Sequence, residues 1–254
     1  MSSLRRMLTV FDLFSIERPA LSTEEIMEHL GTSRGTAYRY VAELTASGFL
    51  VRMNGLLFLG PRIIELDYFI RQSDLDMHVV QPVLRALSEQ CECDVLLADY
   101  FDDRIVVRYH QRRDENLAVS YGRGRRMPLF KGAASKAILA ALPASRQKRL
   151  YESYDAEIRE YGLGGSWKEF RASLSGFKKA GYVTSIGELD QGNAAVAAPI
   201  SFDPRTNLPG SVSLIFSEKR FKLTSEDVVG RICQNAAQEI SQLIEKHLEK
   251  TAVA

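Results

Sequence analysis

Residues 21–49, LSTEEIMEHLGTSRGTAYRYVAELTASGF, decide the fold. Ser22 is placed to accept the amide of Glu25, and the Glu25 carboxylate to reach back to the amide of Ser22, which is a reciprocal capping box. Leu21 and Ile26 occupy the two positions of a hydrophobic staple. A short helix therefore starts after Ser22, runs through Ile26 and Leu30, and stops at Gly31. Thr32 or Ser33 caps a second helix, whose Ala37, Tyr40, Val41 and Leu44 recur at helical spacing. Gly48 ends it, and Phe49 can fold back on Leu44. Two helices joined by about three residues with a glycine are a helix-turn-helix, whose second helix enters a major groove.

The flanks extend this unit. Phe49 to Met53 is extended, Asn54-Gly55 is a strong hairpin signal, and Leu56 to Leu59 returns before Gly60-Pro61. A hairpin after the recognition helix is a wing. Upstream, Leu4, Leu8, Phe11 and Phe14 mark one amphipathic first helix. At 100° per residue, an inward Ala37, Val41 and Leu44 turn Gly35 and Arg39 outward, flanked by Arg34, Thr36 and Tyr38. Arginine can bond guanine bidentately, hydroxyls of Ser33, Thr36 and Tyr38 can bind phosphate, and Gly35 lets the backbone come close. Arg52 and Asn54 at the wing rim can touch sugar-phosphate or minor groove. The same residues also suit a solvated face of any small helical domain. Ile63, Ile64, Leu66 and Ile70 predict a linker helix over 62–73, giving expected domains of 1–61 and 74–254.

The rest alternates helix and strand, an α+β pattern with a mainly antiparallel sheet. Leu75, Val79, Val83, Leu87 and Cys91 predict a long helix containing or starting near Pro82. Asp94–Tyr100 and Arg104–Tyr109 read as strands around Phe101-Asp102-Asp103, with Ile105, Val107 and Tyr109 on one face. Leu117–Ser120 reads as a third short strand. Gly132–Leu142 is an alanine-rich helix ended by Pro143. Gly162–Ser166 reads as a loop and N-cap for a helix with the stripe Trp167, Phe170, Leu174, Phe177. Ala194–Ile200 and Ser211–Phe216 are strands. Thr224–Asp227 caps a last helix with Val228, Ile232, Ala236, Ile240, Leu243 and Ile244 on one side.

The 254 residues are 45% apolar and 26% charged, which excludes a disordered or fibrous chain. No apolar run reaches the roughly 20 residues of a membrane span. The first residues, Met1 to Arg6, lack a signal-peptide h-region, and three cysteines suit a reducing compartment, so the cytoplasm is the expected location. No catalytic pattern emerges. Cys91-Glu92-Cys93 has the wrong spacing for a zinc knuckle, the four histidines are scattered, and the Gly122-Arg123-Gly124 run matches no nucleotide loop. No GxSxG elbow occurs. A non-enzyme without metal or cofactor is expected. The net charge is +1, yet its distribution is uneven. Residues 33–62 carry four basic residues against one acid, while residues 1–32 carry three against five. Residues 104–136 carry nine basic residues against two acids, which can touch flanking DNA, attract an anion or pair within the chain.

Ser3-Leu4-Arg5-Arg6-Met7-Leu8 and Gly31 to Tyr40 resemble the opening and recognition segment of IclR-type bacterial transcription regulators. Gly35 departs from the serine common there. Met127 to Ala137 and Gly181-Tyr182 through Gly192 to Val196-Ala197-Ala198-Pro199-Ile200 resemble the family's two further hallmarks, so the likeness spans nearly the whole chain. The resemblance implies a GAF-like C-terminal domain that binds a small effector, a dimer or tetramer on a near-palindromic operator, and a linker helix that aids dimerisation. Carried over, its effector contacts fall on Leu129, Phe130, Ala133, Ala134, Ser185, Ala195, Ile215 and Ser217. Members that take small oxo-acids tend to hold an acid, a cysteine and two serines at the polar positions. Ser185, Ala195 and Ile215 depart from that set, and Phe130 replaces a common histidine. The expected effector is an organic acid larger than pyruvate and partly apolar. A sensor whose helix-turn-helix contacts protein is the alternative.

Overall fold

A computed structural model describes residues 2–73, 75–115, 117–203 and 208–252. The chain divides into two units, Met1–Asp74 and Leu75–Ala254. In the first, α1 (Ser3–Leu8) passes into a 3-10 turn (Thr9–Leu13), followed by β1 (Ala20–Leu21), α2 (Thr23–Leu30), α3 (Arg34–Ala46), β2 (Leu50–Met53), β3 (Leu56–Leu59) and α4 (Pro61–Ser73). The capping box is formed: Ser22 Oγ accepts the Glu25 amide at 3.1 Å and Glu25 Oε2 accepts the Ser22 amide at 2.6 Å. Gly31 leaves α2 at φ +57°. After α3, the Phe49 amide donates to Leu44 O and the Gly48 amide to Thr45 O, the paired bonds of a Schellman ending. Asn54 and Gly55 both take positive φ, as a type I′ hairpin turn needs.

Val10, Leu21, Ile26, Val41, Leu44, Leu50 and Leu57 form the core of this unit. Each such side chain contributes about 1.5–3 kcal/mol when fully buried. Two details differ from the sequence reading. Leu4 and Leu8 are exposed, because the helix tightens at Thr9, whose hydroxyl donates to Arg6 O, and the face rotates to bring Val10 inward. The short β1 adds a third strand, in the order β1-β3-β2. Gly60 closes the wing against the end of α3. A Cβ there would lie 2.1 Å from Gly48 O, so only glycine fits.

The second unit runs α5 (Leu75–Cys91), β4 (Asp94–Phe101), β5 (Arg104–Gln111), β6 (Arg126–Met127), α6 (Ala133–Ala141), α7 (Ala144–Glu160), α8 (Trp167–Ala180), β7 (Val183–Ile186), β8 (Asn193–Asp203), β9 (Leu208–Ser217), α9 (Glu218–Phe221) and α10 (Glu226–Ala252). Its strands form one antiparallel sheet in the order β6-β5-β4-β9-β8-β7. Alternation along β4 and β9 supplies both faces. Leu96, Ala98 and Ile215 pack toward α6, α7 and α8, while Val95, Leu97, Val212, Leu214 and Phe216 pack toward α5 and α10. Pro82 sits inside α5, where Val80, Leu84 and Leu87 are the buried residues and Val79, Val83 and Cys91 flank them. The side chain of Leu75 lies outside the described residues.

Several elements correct the sequence reading. Leu117–Ser120 is not a strand; β6 takes that place in the sheet. The helix α7 and the edge strand β7 were not anticipated. In β5 the register shifts opposite Leu97/Ala98, so Tyr109 joins the α5/α10 side while Ile105 and Val107 face the other. The extra residue of a bulge breaks the strict period of two. At the start of α10, Val229 is buried and Val228 exposed, one position from the expected stripe.

Candidate functional sites: an outward helix face and an enclosed cavity

Ser33 caps α3: its Oγ accepts the Thr36 amide at 3.4 Å and shares a bond of 3.0 Å with Thr36 Oγ1. Ala37, Tyr40, Val41 and Leu44 are buried, so Arg34, Gly35, Tyr38 and Arg39 face outward and Thr36 is half-buried. The Arg34 guanidinium lies 5.4 Å over the Tyr38 ring, whose hydroxyl donates to Glu24 Oε1 at 3.1 Å. Arg39 makes no bond among the described residues. A Cβ on Gly35 would meet nothing within 4 Å, so packing does not require glycine there. On the wing, Asn54 is exposed at the tip, but Arg52 is already engaged. Its guanidinium donates to Gly55 O and to Thr23 Oγ1, each at 3.1 Å, bracing the hairpin against α2.

The C-terminal unit holds a partly open cavity of about 40 Å³ between the sheet and the start of α6. Of the carried-over positions, Ala133, Ala134, Ser185, Ala195 and Ile215 line it. Leu129, Phe130 and Ser217 do not. Phe130 is wholly buried in an aromatic cluster with Tyr154 and Phe170, and Ser217 caps α9. Leu129 packs on the same core. The apolar wall also includes Leu96, Val119, Met127 and Leu189.

The polar groups sit at the α6 end. The Gly132 amide donates to Glu188 Oε2 at 2.9 Å and the Ala133 amide to Ser185 Oγ at 3.1 Å. Lys136 Nζ lies 2.6 Å from Glu188 Oε1 and neutralises it. The Ala134 amide has no partner among the described residues. Ser213, missed in the sequence, lines the cavity with only 2% of its surface exposed, and its Oγ has no hydrogen-bond partner among the described residues. Alternation along β9 was the available signal: Ser213 shares a face with Ile215.

One wall is tethered at both ends. Asp94 is fully buried and accepts the amides of Arg113 at 2.8 Å and Asp114 at 3.1 Å and His110 Nε2 at 2.8 Å. Burial pushes this carboxyl up, but His110 and the two amides together hold it below its ordinary range. Further on, the Ser120 amide donates to Asp190 Oδ2 and Asn193 Nδ2 donates to Ala118 O. Val119 and Tyr121 are thereby set against the cavity. The basic stretch is largely engaged within the unit. Arg108 approaches Asp99, Arg112 reaches the carbonyls of Glu115 and Leu117, Arg123 reaches that of Arg108, and Lys131 lies over the Tyr161 ring. Among the described residues no group of three metal-ligating side chains occurs, and no helix is long and apolar enough to cross a membrane.

Residues 3–53 match the IclR helix-turn-helix domain, and residues 70–242 match the bacterial transcriptional regulator IclR C-terminal domain. The chain belongs to the IclR family. Its relatives include the HTH-type transcriptional regulator KipR of Bacillus subtilis, 24% identical over 93% of this chain and 94% of that one. Another is the p-hydroxybenzoate hydroxylase transcriptional activator of Acinetobacter baylyi, 25% identical over 78% of this chain and 75% of that one. Among solved structures, an IclR family transcriptional regulator from Brucella abortus superposes with a TM-score of 0.78 at 22% identity, covering 96% of this chain and 92% of its own. An IclR homolog from Microbacterium hydrocarbonoxydans, complexed with 4-hydroxybenzoate, gives a TM-score of 0.71 at 20% identity, covering 96% and 100%. This IclR-type chain is therefore a helix-turn-helix transcription regulator with a mixed α+β fold, and its relatives are regulators rather than enzymes.

Proposed function

We propose that this IclR-type chain is a ligand-responsive regulator that binds a near-palindromic operator as a dimer or tetramer in the cytoplasm. Each helix-turn-helix domain presents Ser33, Arg34, Gly35, Thr36, Tyr38 and Arg39 to one major groove, with Asn54 of the wing on the adjacent backbone. Half-sites then lie one helical turn, about 34–36 Å, or a multiple apart. Arg52 serves the wing's shape before it serves DNA. Dimerisation uses α4, which has no buried residue and exposes Ile64, Tyr68, Phe69 and Ile70.

The effector binds in the cavity behind α6. The observation that carries this reading is the unpartnered Ser213 hydroxyl, because a buried polar group without a partner costs about 1–3 kcal/mol and a ligand atom would relieve it. The free Ala134 amide and the Ser185 hydroxyl complete a polar end opposite an apolar wall. An apolar wall with one polar end suits an aromatic or branched aliphatic body with one polar head, an organic acid larger than pyruvate being the first candidate. The Microbacterium structure with 4-hydroxybenzoate supports that size. The effector acts by binding one arrangement of the protomers more tightly than another.

Calorimetry with matched acids and alcohols, followed by footprinting upstream of the protein's own gene with and without the binders, tests this. We expect benzoate-sized ligands to bind and to shift operator affinity. Tight binding of glyoxylate or pyruvate alone would refute the cavity assignment. A DNA affinity that ignores salt and leaves no footprint would favour protein contacts by the helix-turn-helix domain.

A further inference from the structure

The cavity behind α6 measures about 40 Å³, whereas a cavity that takes benzene measures about 150 Å³. An aromatic acid therefore enters only if part of the wall gives way. Most of the wall is fixed. Leu96, Ser213 and Ile215 belong to the two central strands of the sheet, and Ala133 and Ala134 open a helix that is buried along almost its whole length. The turn between β7 and β8, residues 187–192, is different. Gly187 and Gly192 bound it at φ +64° and +85°, and Glu188, Leu189 and Asp190 between them line the cavity while half-buried. None of these three is paired in the sheet. Their side chains hold the turn down. Glu188 accepts the Gly132 amide at 2.9 Å and Lys136 Nζ at 2.6 and 2.8 Å. Leu189 lies so close to Gly132 that a Cβ there would be 2.7 Å from its Cδ1, and Asp190 accepts the Ser120 amide at 3.0 Å.

The helix α6 has no acid in its first turn and no side-chain cap, so the Glu188 carboxylate is the anion at its positive end. Among the described residues the charged side chains lining the cavity are Glu188 and Asp190, both acids, and Lys136 stands behind Glu188. Ser213, 2% exposed with an unpartnered hydroxyl among the described residues, marks the same space as built for a polar ligand. We propose that an acid effector binds by exchange: its carboxylate displaces that of Glu188 from the Gly132 amide and Lys136, and Glu188 swings out to water with its turn. This rests on the cavity being the effector site and adds to it a charge selectivity and a moving part. Charge balances in both states, Lys136 against Glu188 in the empty protein and Lys136 against the effector in the complex. Two carboxylates held on one lysine would leave a charge buried and unpaired, which is costly. The Glu188 side chain is already 28% exposed, so its path to water is short. Leu189 and Asp190 travel on the same turn, so the exchange draws one off Gly132 and the other off Ser120, and the cavity widens.

Titration calorimetry on the full-length protein tests this with benzoate, its neutral isostere benzamide and the cation benzylamine. Glu188→Gln keeps a carbonyl for the Gly132 amide but carries no charge. Benzoate should bind that variant at least about tenfold tighter, the worth of one hydrogen bond to a charged group, while benzamide is little changed. In Lys136→Gln, benzoate should lose its advantage over benzamide. Amide hydrogen exchange on the wild type, followed by NMR, needs neither variant: benzoate should speed exchange at Ser120 as Asp190 leaves it. Equal shifts for benzoate and benzamide in Glu188→Gln, or a Ser120 amide that stays protected with benzoate bound, would overturn the exchange and leave the cavity standing as the effector site. Benzylamine binding that Glu188→Gln abolishes would make Glu188 a direct partner of a cationic ligand and would overturn it too. No heat from any of the three compounds, with wild type or variants, would overturn the cavity assignment itself and the exchange with it.

Discussion

At Ser213 a hydroxyl stands against the cavity with no hydrogen-bond partner among the described residues, so removing it has opposite effects on the empty and the effector-bound protein. Ser213→Ala should leave thermal stability unchanged or raised, since a desolvated polar atom is lost. The same change should weaken the effector by about threefold to tenfold, the worth of one hydrogen bond. A fall in stability together with unchanged calorimetric affinity would place the hydroxyl outside the site. Arg39 and Gly35 make a similar pair on α3. Arg39 makes no bond among the described residues, so Arg39→Ala should keep the fold and cost about 1–3 kcal/mol of operator affinity for a bidentate base contact. An unchanged footprint would remove it from the interface. Gly35→Ala meets no atom and should gain up to about 1 kcal/mol of helix stability. If the backbone meets DNA closely at that point, the same methyl group weakens binding while the domain melts at higher temperature.

At the scale of elements, α2 depends on a carboxylate. The Ser22 amide, and after it Arg18 and the Ser22 side chain, hold the Glu25 carboxyl down at about 2. The sign follows from its depressed value. The stabilisation is present above the ordinary value of 4.5 and is lost as pH falls from there through about 2. Glu25→Gln keeps a capping partner but cannot titrate, so its unfolding midpoint should show less acid dependence over that window. Parallel wild-type and variant curves would sink this.

The elements that could be read from the sequence are those fixed by local chemistry. The cap at Ser22, the glycine stops at Gly31 and Gly48 and the Asn54-Gly55 turn each act within four residues. The elements that could not be read depend on distant partners. Two residues, Ala20 and Leu21, become β1 only because Phe58 and Leu57 lie beside them. The bulge in β5 follows from how β4 pairs with it, and that pairing reverses where Tyr109 points. The helix α7 had a visible stripe, Leu150, Tyr151, Tyr154 and Ile158, but its many charges hid it. The cavity divides in the same way. The family resemblance pointed to Ala133, Ala134 and Ser185. Glu188 and Ser213 required the fold, because β7 and β9 approach α6 only in three dimensions.

For the whole molecule, the dimer proposed above brings two recognition helices to the operator, which suits a domain that carries few unopposed charges. The exposed apolar groups of α4 are the proposed means of bringing two together. Tyr68→Glu with Ile70→Glu alters residues that are 58% and 55% exposed, so each unit should still fold. Sedimentation should show a shift toward monomer, and operator affinity should fall by at least about tenfold. A double variant that remains dimeric and binds normally would move the interface elsewhere.

The order of strands in the large sheet also bears on how the chain is made. Its middle joint pairs Asp94 with Ile215 and Asp99 with Gly210, partners separated by most of the C-terminal unit. The hairpins on either side, β4–β5 and β8–β9, are comparatively local, but neither covers its own faces. During synthesis the first 74 residues can complete their core early, as domains fold in order of emergence. The second unit has to wait until β9 has left the ribosome, because the loop closed by β4–β9 must be paid for before its contacts form. A nascent chain halted before Ser217 therefore carries a finished DNA-reading head and an open, aggregation-prone half sheet.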